Sequence, residues 1–359
     1  MAPDWPGGFW WHWLLFTIIL IIFFLLMVIG FIYIERRALG RMQSRIGPNR
    51  TGPFGLLQPI ADAVKVLLKE NIVPDNADKI LHALAPIVAF APAVMIFAAI
   101  PLADGWGLVP DLNIGILFVV AIGSISTVGV FMAGWGSSNK YSLISAMRNI
   151  AAVVSYEIPI VMTAASVVLI AGSLSLHQIV GAQDIPFILL QPLGFLIYFI
   201  AGCAEINRSP FDLMEADSEL VAGFHIEYSG MKFAMFYLVE YGEAVGMAAI
   251  ITTLFLGGWR GPILPGFLWF VIKVLAVFLF MVWTRTTLPR VRIDQLMALA
   301  WKFLFPLAII NMIIVAIEIL VLPEGSLWPM IPINFAITAV LILLWSRRLS
   351  KLGWGRVEV

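Results

Sequence analysis

Residues 14–34 read LLFTIILIIFFLLMVIGFIYI, a stretch without a single charged residue. An α-helix needs about 20 apolar residues to cross the hydrocarbon core of a bilayer. The stretch is long enough, and its apolar residues are continuous instead of alternating, which indicates a helix and not a strand of a barrel. With eight similar runs it gives nine candidate spans, near residues 14–34, 80–101, 113–133, 150–171, 186–204, 232–256, 266–283, 303–322 and 328–346.

The composition of the whole chain agrees with this pattern. Hydrophobic residues make up 61% of the 359 residues, charged residues 12%, and the mean hydropathy is +0.97. These values lie far outside the range of soluble globular proteins. We expect an all-α integral membrane protein with about nine transmembrane helices, forming a single polytopic domain over residues 1–359. Its charged internal loops are expected at 35–79, 134–149, 205–231 and 285–302.

The basic residues predict the orientation of the spans. Of the 22 Lys and Arg residues, 20 fall in alternate loops or in the C-terminal tail, so they lie on one side of the membrane. Only Arg260 lies on the other side, and Lys273 falls within the seventh candidate span. Because basic residues accumulate in cytoplasmic loops, the N-terminus is expected outside and the C-terminus inside.

Several kinds of chemistry are excluded by the residue types. The chain has one cysteine, Cys203, and four histidines that are far apart in sequence. It therefore cannot hold an iron–sulfur cluster on cysteines alone, and a haem or helix-based metal site is not expected. No Walker A sequence is present. We expect no metal and no redox cofactor bound by this chain alone.

The first internal loop predicts a helix lying on the membrane surface. Gln58, Asp62, Lys65 and Lys69 fall on one polar face, and apolar residues occupy the other, which is typical of an interfacial amphipathic helix. This helix has two interpretations. It is either a lipid anchor with basic residues at the head groups, or one side of an entrance for a lipid-soluble substrate that meets charged groups including Arg36 and Arg45.

The third internal loop is rich in acids. Residues 205–228 contain six Asp or Glu residues against the single cation Arg208. If the middle is helical, Asp212, Glu215 and Glu219 share one face, where carboxylates raise one another's pKa and exchange protons near neutrality. A solvated acidic surface explains the same composition. Large apolar residues such as Phe211 and Phe224 favour a loop that is packed against the rest of the protein.

Acidic residues also occur inside the spans. Glu157 lies nine residues beyond Arg148, about 13 Å further along a helix. The sixth span carries Glu240, Tyr241 and Glu243. Acids at this depth form either polar contacts between helices or a path for protons. Segment 285–302 is basic, for which there are two explanations. Its cations either mark the cytoplasmic side of the membrane or contact the acidic third loop.

Together, these loops are similar to those of one family, the H-type membrane subunit of respiratory complex I, the proton-pumping NADH:quinone oxidoreductase. The resemblance covers nearly the whole chain. Its most specific segments are Glu35-Arg36-Arg37 through Gly47-Pro48-Asn49-Arg50, Ser155-Tyr156-Glu157, Glu205 to Tyr228, and Leu288-Pro289-Arg290 to Trp301-Lys302. The ninth span suits bacterial members. Glu243 has no counterpart in the family pattern, and Asp217 stands where glutamate is usual.

The residue patterns and the resemblance together assign roles to individual side chains, none of them catalytic. The predicted quinone entrance and chamber comprise Arg36, Arg45, Asp62, Lys65, Phe224 and Glu227. The predicted proton route comprises Glu157, Glu205, Asp212, Glu215, Asp217, Glu219, Glu240 and Tyr241. The predicted counter-charges are Arg148, Arg208, Arg285 and Arg290.

The resemblance also implies the surroundings of the chain. The substrate is a quinone, ubiquinone or menaquinone, and the iron–sulfur clusters and FMN belong to partner subunits. These partners are the iron–sulfur and quinone-site subunits of a peripheral arm on the internal side and other small membrane-arm subunits, with lipid but no nucleic acid. The expected location is the bacterial cytoplasmic membrane more than the mitochondrial inner membrane. Two alternatives stay open: the membrane subunit of an energy-converting hydrogenase, and a stand-alone ion transporter.

Overall fold

The computed structural model of the chain describes residues 10–104, 106–107, 112–214, 217–322 and 328–351, with side chains except at 10–13, 106–107, 217–218 and 346–351. The elements, in chain order, are α1 (Trp10–Met42), a 3₁₀ turn (Pro53–Gly55), α2 (Gln58–Leu67), α3 (Lys79–Ala99), β1 (Pro101–Ala103), β2 (Trp106–Gly107), α4 (Gly115–Gly136), α5 (Lys140–Ala171), α6 (Leu176–Ala182), α7 (Phe187–Leu190), α8 (Pro192–Glu205), α9 (Asp217–Leu220), a second 3₁₀ turn (Gly223–His225), α10 (Gly230–Phe255), α11 (Gly266–Thr287), α12 (Ile293–Leu299), a π-helical turn (Ala300–Leu304), α13 (Phe305–Val321) and α14 (Met330–Lys351).

Seven segments of the described chain are long and apolar enough to cross a membrane. They are α1, α3, α4, α5, α10, α11 and the continuous helix from α12 to α13. Two shorter apolar helices, α8 and α14, match the fifth and ninth predicted spans. The predicted all-α membrane fold is therefore confirmed. In the described ranges, strand structure is confined to the short antiparallel pair of β1 and β2.

The fifth predicted span is broken instead of continuous. Helix α7 ends at Leu190, and Gln191 leaves the helical region with φ −132° and ψ 66° before Pro192 starts α8. A residue that precedes proline is disfavoured in the helical conformation, which explains the break. Polar side chains bond to the interrupted backbone and its surroundings: Asn334 Nδ2 donates to the Leu190 carbonyl at 2.8 Å, and Gln191 Nε2 donates to the Ser166 carbonyl at 3.1 Å. Such partners are needed because lipid supplies none.

Several helices are longer than their apolar runs. Helix α1 continues beyond residue 34 to Met42, α5 begins at Lys140 instead of near 150, and α11 continues to Thr287. Helix α12 begins at Ile293, so the predicted loop 285–302 is mostly helical, as is the predicted loop 134–149. Hydropathy marks only the part of a helix that lies in lipid, whereas backbone hydrogen bonding continues beyond it. Charged residues near these ends therefore stand on rigid helices.

The predicted surface helix is present as α2. Gln58 Nε2 donates to Asp62 Oδ1 at 2.9 Å along its polar side. On its apolar side Leu67 is 60% exposed and Leu68 is 83% exposed, so this side faces away from the protein. An apolar surface of this kind suits contact with lipid. Lys69 lies just beyond the end of the helix, so the polar face is shorter than predicted.

The bundle is closely packed at α10 and between α3 and α4. Residues 244–255 of α10 are buried without exception. Helices α3 and α4 approach so closely that a Cβ atom on Gly129 would lie 2.5 Å from the Ala89 backbone nitrogen. Small residues permit this approach where apolar burial does not drive helix association in lipid.

We expect Gly129→Val to separate α3 from α4 and to destabilise the fold by roughly 1–3 kcal/mol, the usual cost of overpacking. Gly30→Val is the control, because no atom of a neighbouring helix lies within 4 Å of the Cβ that it would add. The measurement is the thermal unfolding midpoint of the purified assembly that contains the chain. Equal midpoints for the two variants would contradict the packing described for α3 and α4.

Candidate functional site

The described part of the third loop, residues 206–214 and 217–229, folds into one end of the helix bundle. Ser142 Oγ at the start of α5 donates to the Phe224 carbonyl at 2.7 Å, and Ser145 Oγ donates to the Met214 carbonyl at 2.9 Å. The Val291 backbone nitrogen, between α11 and α12, donates to the Pro210 carbonyl at 3.0 Å. Apolar side chains of the loop are buried, namely Phe211, Leu213, Leu220, Phe224 and Tyr228. The expectation of a packed loop is confirmed at these residues, whereas Val221 is 58% exposed.

A buried carboxylate lies where this loop meets the bundle. Glu35, near the end of α1, is fully buried with 0% exposure. Arg208 Nη1 donates to its two oxygens at 2.9 and 3.1 Å, and Arg285 Nη1 donates to Oε1 at 2.5 Å. Arg208 is held at the end of α8, where its backbone nitrogen donates to the Cys203 carbonyl at 3.1 Å. One acid therefore joins α1, the third loop and α11.

Arg208 is shared with a second acid. Its Nε lies 3.4 Å from Glu240 Oε1, and its Cζ lies 4.5 Å from the centre of the Tyr241 ring, a cation–π contact. Burial opposes the charge of Arg208, but the carboxylates of Glu240 and Glu35 outweigh this effect and hold the pKa of Arg208 above its ordinary value. The side chain is therefore a permanent cation between two acids. We call Glu35, Arg208, Arg285, Glu240 and Tyr241 the central cluster.

Two more ion pairs lie on the outer side of the loop. Arg148 on α5 pairs with Glu219 at 2.5 Å, where the Glu219 side chain is 50% exposed. Arg290 lies 3.6 Å from Asp212, whose side chain is 20% exposed. All four predicted counter-charges therefore stand beside acids. Glu215 lies outside the described residues, as does the side chain of Asp217, so the predicted acidic face of Asp212, Glu215 and Glu219 stays a prediction.

Two cavities lie beside the third loop, and the first of them reaches Glu240 of the central cluster. The first, which we call the loop-side cavity, has a volume of about 50 Å³, and its lining includes Asp212, Phe224 and Glu240. The second, the inner cavity, has a volume of about 80 Å³ and extends between the spanning helices, with Glu205 and Tyr198 in its wall. Their linings share five residues: Val130, Ile206, Asn207, Met214 and Glu243. The two cavities are therefore neighbours across this shared wall.

The acids of the spans lie near these cavities. Glu205, at the end of α8, has one carboxylate oxygen, Oε2, that is buried without a hydrogen-bond partner among the described residues. Glu157 on α5 accepts a hydrogen bond from Ser124 on α4. The helix position of Glu157 is fixed by its neighbour Tyr156, which is fully buried and donates to the Leu296 carbonyl at 2.8 Å. Such isolated acids in a membrane protein are typical of an ion route.

The predicted entrance residues do not lie together in the structure. Arg36, Asp62 and Lys65 line one open cleft of about 570 Å³ between α1 and α2, and Arg36 pairs directly with Asp62. Arg45 is exposed and does not line this cleft. Phe224 lines the loop-side cavity instead.

Glu227, the last predicted entrance residue, lines neither the cleft nor the loop-side cavity. Its Oε1 accepts a hydrogen bond from Asn139 at 2.7 Å. Its carbonyl lies 3.4 Å from Nε2 of the buried His82, whose other ring nitrogen lies 3.1 Å from Lys232 Nζ. Glu227 therefore fixes the end of the third loop against α3 and the start of α5. Burial raises the pKa of the adjacent Tyr228.

Sequence reasoning missed residues that the structure places at the site. Glu35 opens the Glu35-Arg36-Arg37 motif, and an acid directly after an apolar span was a usable signal. Ser124 and Ser126 on α4 donate hydrogen bonds to Glu157 and Glu243. A serine within an apolar run gives no signal of this kind, because its partner lies on another helix.

Comparison with known proteins identifies the family. Residues 15–316 match the family described as NADH dehydrogenase. The chain belongs to this family. One relative, the H subunit of the NADH-quinone oxidoreductase of Dehalococcoides mccartyi (strain CBDB1), is 58% identical over 351 residues, which cover 98% of this chain and 99% of the relative. The same subunits from Geobacillus kaustophilus (strain HTA426) and Brevibacillus brevis (strain 47 / JCM 6285 / NBRC 100599) are 52% and 48% identical, covering 80% and 89% of this chain and 87% and 96% of the relatives.

The resemblance seen in the motifs is thereby confirmed. As a member of the NADH dehydrogenase family whose near full-length relatives are H subunits, the chain is an H-type, multi-pass membrane subunit of NADH:quinone oxidoreductase, respiratory complex I. Two of the segments that carried the resemblance contribute to the central cluster, Glu35 from the first and Arg208 from the third loop, and Arg290 from the last segment pairs with Asp212 of that loop.

The central cluster makes a quantitative prediction for stability. Arg208→Gln leaves Glu35 and Glu240 with fewer counter-charges, and removing one partner of a buried pair typically costs about 3–5 kcal/mol. Adding Glu35→Gln to this variant removes the stranded charge, so we expect the double variant to lose less than the sum of the two single losses. The measurement is the free energy of thermal unfolding of the assembled complex for all four proteins. Strictly additive losses would contradict a direct pair between Arg208 and Glu35.

Proposed function

We propose that this chain forms part of the entrance and chamber for the quinone and converts quinone reduction into proton movement through its buried acids. The observation that carries the proposal is the position of Glu240. Its carboxylate lies 3.4 Å from Arg208 of the third loop and also lines the loop-side cavity. A change of charge at the loop therefore acts directly on an acid in the wall of the loop-side cavity.

The cleft between α1 and α2 supports the entrance. A quinone has an apolar tail, which remains in lipid, and a ring with two carbonyl oxygens that accept hydrogen bonds. The exposed apolar side of α2 suits the tail, and the cationic groups of Arg36 and Lys65 in the cleft are donors for the ring oxygens. Tyr33 Oη donates to the Phe54 carbonyl at 3.0 Å and accepts a hydrogen bond from Arg37, which connects α1 to the turn that leads into α2.

The coupling follows from the charge balance of the reaction. Reduction of a quinone to a quinol takes two electrons, supplied by a partner subunit, and two protons. Removing protons from groups near the third loop makes the loop more negative, so Arg208 is drawn away from Glu240. A carboxylate that loses its cation in a membrane becomes easier to protonate. Glu240 then takes up a proton from the side of Asp212 and passes it inward toward Glu205 and Glu157.

The same end of the bundle is the proposed docking face for the peripheral arm. We propose that it faces the cytoplasm of a bacterium, with the N-terminus outside and the C-terminus inside, because the loops at this end carry most of the basic residues. The partners there would hold the iron–sulfur clusters and FMN, and the substrate would be ubiquinone or menaquinone. The names of the relatives favour this function over the energy-converting hydrogenase and the stand-alone transporter. Co-purification of a nickel–iron subunit would instead support the hydrogenase.

The entrance is tested with Asp62→Asn, which removes the partner of Arg36 in the cleft. Both side chains are about one third exposed, so we expect a rise of only about two- to fivefold in KM for a long-tailed quinone, with kcat unchanged. Asp75→Asn is the matched control, because it removes the same charge from an exposed site in the same loop that does not line the cleft. An equal effect of the two variants would count against the entrance.

The proton route is tested with Glu240→Gln and Glu205→Gln, which keep the size of each side chain but remove its proton exchange. Loss of a positioned acid–base group typically costs about 100-fold or more, so coupled quinone reduction and proton pumping should fall together by at least this factor. Electron transfer from the donor to a water-soluble artificial acceptor should be unchanged, since it does not need this chain. Normal pumping by both variants would refute the proposed route.

A further inference from the structure

Glu243 on α10 occupies a position that neither the family motifs nor the proposed route explains. It lies one helical turn beyond Glu240 and is part of the wall shared by the loop-side cavity and the inner cavity. Asp212 and Glu240 line only the first of these cavities, and Glu205 lines only the second. Among the described acids, Glu243 is the one that faces both.

The polar contacts of Glu243 differ from those of its neighbour. Ser126 on α4 donates a hydrogen bond to Glu243 Oε1. In the described part of the chain, no Lys or Arg forms an ion pair with this carboxylate, whereas Glu240 lies 3.4 Å from Arg208. An ionised acid without a cation is costly inside a membrane, so Glu243 is suited to hold a proton.

A purely structural role explains this arrangement poorly. A serine hydroxyl satisfies one carboxylate oxygen, and an amide or a second hydroxyl would bind it equally well without the cost of a titratable acid. The cavity walls around Glu243 also contain the polar side chains Asn207, Asn149 and Thr127. Cavities of about 50 and 80 Å³ with such partners have room and hydrogen-bonding groups for a few waters, which conduct protons between acids that do not touch.

We propose that Glu243 is a proton-relay residue that joins Glu240 to Glu205. Protonated Glu240 releases its proton through water in the loop-side cavity to the Glu243 carboxylate. Glu243 then releases the proton through water in the inner cavity to Glu205, whose buried Oε2 has no other described partner. Each step breaks one O–H bond and forms another, with no oxidant or reductant. Ser126 is a positioning residue that holds Glu243 at the shared wall.

This inference rests on the proposed proton route and deepens it. It differs from that route in one consequence: the step between the two cavities depends on an acid at 243, not only on the acids at 205 and 240. A chain with Glu205 and Glu240 intact should therefore lose proton transfer when Glu243 alone is made non-titratable.

The experiment uses the whole complex in sealed inverted membrane vesicles and compares Glu243→Gln, Glu243→Asp and Glu318→Gln. The readouts are donor-driven quinone reduction and the number of protons pumped per electron. We expect Glu243→Gln to lower coupled turnover by about 100-fold, as for other lost proton-transfer groups, and Glu243→Asp to restore most of it. Glu318→Gln is the matched control, since this acid is also buried but bonds to Asn334, away from both cavities, and it should behave as the wild type.

Each other outcome overturns the relay. Normal pumping in Glu243→Gln, with pumping lost in Glu240→Gln, refutes the relay and leaves the proposed function standing. Normal pumping in both variants refutes the proposed function as well. Equal losses in Glu243→Gln and Glu243→Asp, with a lowered unfolding midpoint, assign Glu243 a structural role.

If the Glu243→Gln complex does not assemble, a milder variant still tests the relay. Ser126→Ala keeps the acid and removes only its hydrogen bond. We expect it to slow coupled turnover by about threefold to tenfold, as for the loss of one ordinary hydrogen bond, with the protons pumped per electron unchanged. An unchanged turnover would then refute the relay.

Discussion

The interaction on which the rest of the site depends is the burial of Glu35 between Arg208 and Arg285. A carboxylate with no exposed surface in a membrane protein requires such partners, because removing it from water costs several kcal/mol. Its two cations come from a loop and from another helix, so satisfying one charge fixes the relative positions of α1, α11 and the third loop. Glu240 and Tyr241 lie against the same guanidinium group and thereby inherit that geometry.

This constraint underlies the proposed link between the charge of the third loop and proton movement. Arg208 remains a cation, so a change of charge in the loop alters which acid it neutralises and not whether it is charged. Glu240 lines the loop-side cavity, and the inner cavity lies between the helices that close packing at Gly129 holds together. In the proposed function, a local change in ion pairing at Arg208 is passed through these cavities to the acids deeper in the bundle.

Much of the fold could be predicted from the sequence, because apolar length is a local property. Residues 14–34 alone identify a span, and the positions of the basic residues predict an orientation. The ends of the helices were less predictable: α1 continues to Met42 because hydrogen bonding does not stop where lipid stops. The break at Gln191 could have been anticipated from Pro192, but the Ser166 and Asn334 partners that satisfy it come from distant segments. In the site, the motifs pointed to Arg208 and Glu240, whereas Ser126 and the central place of Glu35 depend on contacts between helices.

Coupling through this site requires that quinone reduction change the protonation of Glu240. Infrared difference spectroscopy of the complex, reduced minus oxidised, detects this directly through the carbonyl band of a protonated carboxylic acid. We expect a carboxylic acid band that changes on quinone reduction in the wild type and is absent from the Glu240→Gln spectrum. Identical difference spectra for the two proteins would contradict the coupling role of Glu240.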